Sequence, residues 1–157
     1  MRVCPIASGS SGNCIYVGDS TTHILIDAGV SCKKMVEGLK GIGIEPEDLS
    51  AIFITHEHSD HISGLRVFLK KYRIPTYATG KTVQAILRKD NTNEMEMDWF
   101  KIVKPDEKLQ MQSMRFKLSV HLMMRWSQWD ILWKQMEKNS VWLPILELLM
   151  NILYQIW

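Results

Sequence analysis

Short apolar runs separated by polar turns recur along the first part of the chain, and helically spaced segments fill the intervals. Residues 2–7 form an extended candidate. Residues 14–17 and 23–26 read as strands joined by a turn over 18–22, and 51–54 is a further apolar run rich in isoleucine. Ser31 has the character of a helix N-cap. The segment after it, to Leu39 and Lys40, puts Met35, Val36 and Leu39 on one face, and Gly41 and Gly43 stop it. Residues 46–49 make a turn. Residues 62–72 predict a second helix with Leu65, Phe68 and Leu69 inward and Arg66, Lys70 and Lys71 outward. A strand at 74–77 and a helix at 81–88 follow. Strand, loop, helix, strand and helix in this order predict an α/β layered domain.

The totals narrow the picture only modestly. The chain has 157 residues, enough for one domain with a real core. A net charge of +2 gives no footprint of a strongly basic nucleic-acid binder, though a local basic groove is compatible with it. The three cysteines (Cys4, Cys14 and Cys32) are odd in number and lack CxxC spacing, so they read as reduced thiols of a cytoplasmic protein. The first residues carry no apolar signal core, and nothing in them predicts export.

The chemistry concentrates directly after the run at 51–54. Thr55, His56, Glu57, His58, Ser59, Asp60 and His61 place three imidazoles and a carboxylate on the loop beyond a strand tip. Those are ligand types for zinc and similar divalent ions. A polar loop that is merely rich in histidine is the plainer reading, and the spacing argues against it. Upstream, Ser8-Gly9-Ser10-Ser11-Gly12-Asn13 has backbone amides able to approach a ligand closely, or is an ordinary tight connection. Asp27, before Ala28 and Gly29, is a site residue at a strand tip or a turn residue.

The H-x-H-x-D-H pattern resembles the signature of the metallo-β-lactamase superfamily. More narrowly, the Ser8–Asn13 loop, Leu25-Ile26-Asp27-Ala28-Gly29, the Thr55–His61 cluster and Gly64 are similar in order and spacing to the YycJ/WalJ-type branch. Members of that branch are regarded as cytoplasmic, DNA exonuclease-like phosphodiesterases. The resemblance covers roughly residues 1–105, the N-terminal part of an αββα sandwich. It implies two divalent ions, zinc or manganese, with His56 and His58 on one and Asp60 and His61 on the other. Asp60 would also orient or deprotonate the attacking water. Asp27 would orient the ligands, and Ser8, Ser10, Ser11 and Asn13 would border the substrate phosphate. DNA is the implied substrate. Another ester, thioester or lactone is the alternative on the same scaffold.

Residues 106–157 depart from this pattern. The family requires further ligands, yet His121 is the only histidine after His61. Gly80 is the last glycine, and every tryptophan except Trp99 follows residue 125. Met and Trp have single codons, which partly fixes the underlying bases. Met123-Met124 must be ATGATG, which read one base earlier contains an Asp codon after a triplet that can encode His. The same shift permits Pro-Val-Gly-Tyr around residues 128–130 and Asn-Gly-Lys around 136–138, each glycine forced, and Met-Ala-Thr-Asp-Thr-Gly across 142–147. These strings resemble the family's later motifs. The expectation is a shift of reading frame between Pro105 and His121, leaving half of each ion's ligand set and an impaired enzyme. A second expectation is a non-catalytic product with a partner-binding amphipathic tail, in which Glu147, Asn151 and Gln155 form one polar stripe. The tail is too short and interrupted to predict a membrane span.

Overall fold

The computed structural model describes residues 1–104 and 107–117. The segment from 118 onward, including His121 and the amphipathic stripe, lies outside the described residues.

The chain runs β1 (Arg2–Ala7), β2 (Cys14–Gly18), β3 (His23–Ile26), α1 (Cys32–Gly41), β4 (Ala51–Phe53), α2 (Ser59–Ile62), α3 (Leu65–Tyr72), β5 (Thr76–Thr79), α4 (Gly80–Lys89), β6 (Phe100–Val103), β7 (Lys108–Met111) and β8 (Met114–Lys117). The first six strands form one sheet in chain order, and β7 and β8 pair as a separate hairpin. Pairing is antiparallel from β1 to β3 and parallel from β3 to β6. The parallel half matters most for function. It brings the carboxyl ends of β3, β4 and β5 to one edge of the sheet, where ligand sites of open α/β sheets form.

Period-two alternation divides the strands between two cores. Tyr16, Leu25, Ile52, Ala78 and Phe100 face Met35 and Leu39 of α1, Leu65, Phe68 and Leu69 of α3, and Val83 and Ile86 of α4. On the opposite face Ile15, Val17, Ile24, Ile26, Ala51, Phe53 and Val103 cluster with Leu109 and Met111 of β7. Strands with both faces covered read as continuous apolar runs, which is why 14–17 and 51–54 lacked alternation in the sequence. The hairpin is tied down by Asp19: Ser113 Oγ donates to its Oδ2 at 2.6 Å, and the amides of Thr21 and Thr22 donate to its Oδ1 at 2.9 Å.

The mixed α/β architecture expected from the sequence is observed, with shifted boundaries. The helix expected over 62–72 is α3, which starts only at Leu65; Ile62 instead ends α2, and Ser63 and Gly64 separate the two. The Gly64 amide donates to Ala28 O at 2.9 Å, and a Cβ at Gly64 would come within 1.9 Å of Val30 O. That close approach draws the chain out of helical phase. The strand expected at 74–77 begins at Thr76, because Pro75 has no N–H for the ladder; its carbonyl accepts from Ile52 N instead. The run at 81–88 extends to α4, with the Thr79 side chain accepting from Thr82 N as its cap. Strands β6 to β8 had not been foreseen.

Candidate active site

Parallel pairing of β3 with β4 sets Ile26 opposite Phe53, so the residues just beyond both tips meet. Asp27 turns away from the strand with φ 61°, a left-handed conformation that costs energy in a residue other than glycine. Its amide still donates to Phe53 O at 2.8 Å. The carboxylate is 4% exposed and fully engaged. Thr55 N donates to Oδ1 at 2.9 Å, Thr55 Oγ1 lies 2.9 Å from both oxygens, and His61 Nδ1 is 2.7 Å from Oδ2.

Those bonds fix two tautomers. A carboxylate only accepts, so His61 carries its proton on Nδ1 and keeps the Nε2 lone pair. The Thr55 hydroxyl spends its proton on Asp27 and accepts from His56 Nδ1 at 2.9 Å, leaving the Nε2 lone pair on His56 as well. The imidazoles converge: ring centroids of His56 lie 3.9 Å from His61 and 4.5 Å from His58. Burial, followed by the nearby His61, holds the His56 imidazole below the usual histidine pKa.

Asp60 and His61 sit on the single helical turn α2, not on a loop as expected from the sequence. Their placement is controlled by backbone contacts with the segment after β3. Asn13 N donates to Asp60 O at 2.7 Å, Ala28 N to His61 O at 2.8 Å, and Gly29 N to Asn13 O at 2.8 Å. A Cβ on Gly29 would lie 1.6 Å from Asp60 O, so only glycine admits this approach. His61 is 2% exposed, His58 is exposed, and the Asp60 side chain is 29% exposed.

Among the residues expected to border substrate, the structure draws only Asn13 into the cluster. Its Nδ2 lies 3.3 Å from Asp60 Oδ2 and 3.1 Å from His61 Nε2, while its Oδ1 accepts from Gly9 N at 3.1 Å. Ser10 and Ser11 are exposed and Ser8 is half-buried; among the described residues, none bonds the histidine cluster through its side chain. One contact carried no sequence signal at all: Lys89 Nζ, at the end of α4, donates to Glu57 O at 2.9 Å.

Imidazole and carboxylate donors with oriented lone pairs suit a divalent ion. Among the described residues, however, no three His, Cys, Asp or Glu side chains are arranged to hold one. His56 lies nearer to His61 than to His58, and Asp60 Oδ2 is 3.3 Å from His61 Nε2. No helix among the described residues is long and apolar enough to cross a membrane.

Comparison with known proteins bears on the fold and the family. The chain is 53% identical over 81 residues to exodeoxyribonuclease WalJ of Streptococcus pneumoniae, covering 52% of this chain and 30% of that protein. It is 47% identical over 81 residues to exodeoxyribonuclease YycJ of Bacillus anthracis, covering 52% and 31%. It therefore spans about a third of the length of these relatives. Among solved structures, a metallo-β-lactamase from Cronobacter sakazakii superposes with a TM-score of 0.64 at 15% identity over 74% of this chain and 49% of that one. The SMB-1 metallo-β-lactamase gives 0.59 at 19% identity over 70% and 47%. Residues 7–107 match the family profile described as the metallo-beta-lactamase superfamily, and they contain the Asn13, Asp27 and His56–His61 cluster. With more than half of its length inside that match, the chain belongs to the metallo-beta-lactamase superfamily.

Proposed function

We propose that the chain is the N-terminal, ion-binding part of a metal-dependent hydrolase that cleaves phosphodiester bonds in DNA. The observation that carries this reading is the pair of histidines whose Nδ1 protons are committed to Thr55 and Asp27, which leaves Nε2 as the lone-pair nitrogen of each ring, that of His61 beside Asn13 Nδ2 at 3.1 Å. A histidine whose other nitrogen donates to a carboxylate is the usual support of a metal ligand. His56 and His58 would hold one ion, zinc or manganese, and Asp60 and His61 the other. Bound there, such ions supply a water of lowered pKa and charge stabilisation for phosphoryl oxygens.

The chain's own residues do the rest. Asp27 and Thr55 hold the imidazoles in their tautomers. Asp60, partly exposed beside His61, orients or deprotonates the attacking water. Ser8, Ser10 and Ser11 line the approach of the phosphate. DNA is preferred as substrate because relatives at 53% and 47% identity are named exodeoxyribonucleases.

With two protein ligands each, the ions bind weakly and turnover is low. The division at residue 105, the frame-shifted origin of 106–157 and a cytoplasmic location with unpaired Cys4, Cys14 and Cys32 belong to the same proposal. An assay with end-labelled duplex DNA and Mn²⁺ or Zn²⁺ tests it. Slow cleavage abolished by chelation and by His56→Ala supports the reading. Hydrolysis of a thioester or lactone with DNA left intact overturns it.

A further inference from the structure

A cavity of about 280 Å³ opens at the edge of the sheet away from the histidine loop. Arg73, Ile74, Pro75, Asp98, Trp99 and Lys101 line it, at the entry ends of β5 and β6. The histidines follow the exit end of β4, and β4, β5 and β6 are parallel, so the two places lie at opposite ends of the strands. The cavity is therefore separate from the site described above. Its size falls just under the roughly 300–1,000 Å³ of small-molecule pockets, which suits one ring system with one compact polar group.

Arg73 gives this cavity its chemistry. It ends α3 at φ 54° and ψ 37°, a left-handed position that glycine usually fills and that costs backbone energy in an arginine. Its guanidinium lies over the Trp99 ring, 4.4 Å from the centroid. A guanidinium held flat on an indole keeps the N–H groups along its edge for an oxyanion, in the fork that matches phosphate. Lys101 adds a second cation, with Nζ 5.6 Å from the centroid of Tyr77. Among the described residues neither cation forms a salt bridge, and neither does the Asp98 carboxylate. Ile74, Pro75 and Trp99 make the remaining wall apolar.

We propose that this cavity binds a phosphorylated nucleoside. Arg73 and Lys101 hold the phosphate, the base packs on the apolar wall, and Asp98 accepts from an amino or hydroxyl group of the base or sugar. Inorganic phosphate leaves the apolar wall unused. An uncharged ring leaves both cations without a partner, and an anion with no donor to offer is repelled by Asp98. A nucleotide meets all three demands. The same group occurs as a free nucleotide and at the phosphorylated end of a nucleic-acid strand. Binding here needs no metal ion, so the inference is independent of the reading of the histidine cluster.

The test is a titration of the ¹⁵N-labelled full chain in the presence of a chelator, following the Trp99 indole N–H signal, which is identified by its loss in Trp99→Phe. Deoxyadenosine monophosphate is expected to shift that signal saturably. Deoxyadenosine and inorganic phosphate should each bind about tenfold or more weakly. Arg73→Gly removes the guanidinium at a position that glycine favours, so it should be at least as stable as wild type in urea yet bind about 10–100-fold more weakly. Lys101→Gln should weaken binding several-fold. An oligothymidine with a terminal phosphate separates the two sources: tighter binding than the mononucleotide assigns the cavity to a strand end, and equal or weaker binding assigns it to the free nucleotide. A Trp99 signal that stays fixed up to about 10 mM nucleotide would overturn the site. So would equal binding of inorganic phosphate, or Arg73→Gly binding as tightly as wild type. The wild-type titration decides even where a variant fails to fold.

Discussion

Oδ2 of Asp27 lies 2.7 Å from Nδ1 of His61, although 34 residues separate them and both are almost fully buried. Parallel pairing of β3 and β4 creates the contact, and a left-handed turn at Asp27 aims the carboxylate. Asp27→Asn keeps the turn, because asparagine tolerates that conformation. It removes the charge and places an amide against an imidazole nitrogen. The variant is expected to lose about 1–3 kcal/mol of stability. Its zinc affinity should fall about 10–100-fold. Urea unfolding and metal titration measure the two effects separately.

Gly29→Ala is expected to be among the most damaging single methyl additions in the described part of the chain. The new Cβ would meet Asp60 O at 1.6 Å and Asn13 N at 2.7 Å, both backbone atoms with nowhere to move. A cost of about 3 kcal/mol or more is expected. Gly41→Ala is the control. It lies in α1 with nothing within 4 Å of its Cβ, and alanine there should be neutral or mildly stabilising. Comparing the two midpoints in urea checks the prediction; equal effects would refute it.

How much of this was readable beforehand depends on the range of each contact. His56, His58, Asp60 and His61 lie within one short stretch, so their clustering showed in the sequence. The helix α1 showed through Ser31 and the spacing of Met35 and Leu39. Asp27 read equally well as a turn residue, because its partners Thr55 and His61 are brought close only by strand pairing. Asn13 was assigned to a substrate loop. Its bond to Asp60 spans 47 residues and requires the glycine approach at Gly29, which no local pattern encodes. The break between α2 and α3 was hidden for the same reason, since Gly64 is set by Val30 across the fold. The hairpin β7–β8 lay in short, weakly alternating segments, and Ser113 gave no sign of its bond to Asp19.

That last bond gives a pH prediction. The Ser113 hydroxyl, then the Thr21 amide, hold the Asp19 carboxyl well below its ordinary value. A carboxyl depressed in the folded state contributes stability above its unfolded pKa, near 4, and loses it as pH falls further. The bond lies at the surface, where solvent screening keeps the effect small. Asp19→Asn should therefore lower stability by about 1 kcal/mol or less at pH 7. The gap from wild type should close progressively below about pH 4. Denaturation series at several pH values read this directly. A difference that widens on acidification would contradict it.

Cys14 predicts the opposite limb. Burial, followed by the charge of Asp27, pushes its thiol up to about 12 from 9.0. The unfolded chain releases that proton first, so this contribution to stability is complete below pH 9.0 and is lost as pH rises toward 12. At pH 8 the folded protein should leave Cys14 unlabelled by a thiol reagent while the partly exposed Cys4 reacts. Mass spectrometry of labelled peptides distinguishes the sites. Cys14 reacting as fast as Cys4 in folded protein would be inconsistent with its burial.

The most direct measurement of the central claim is the zinc and manganese content of the purified full chain at neutral pH, with affinity determined by titration. Wild type is predicted to bind either ion weakly but saturably, and His56→Ala and Asp60→Ala are each predicted to lose part of that binding. A folded protein that takes up neither ion, or whose uptake is unchanged after replacement of His56, His58, Asp60 and His61 together, would contradict the account.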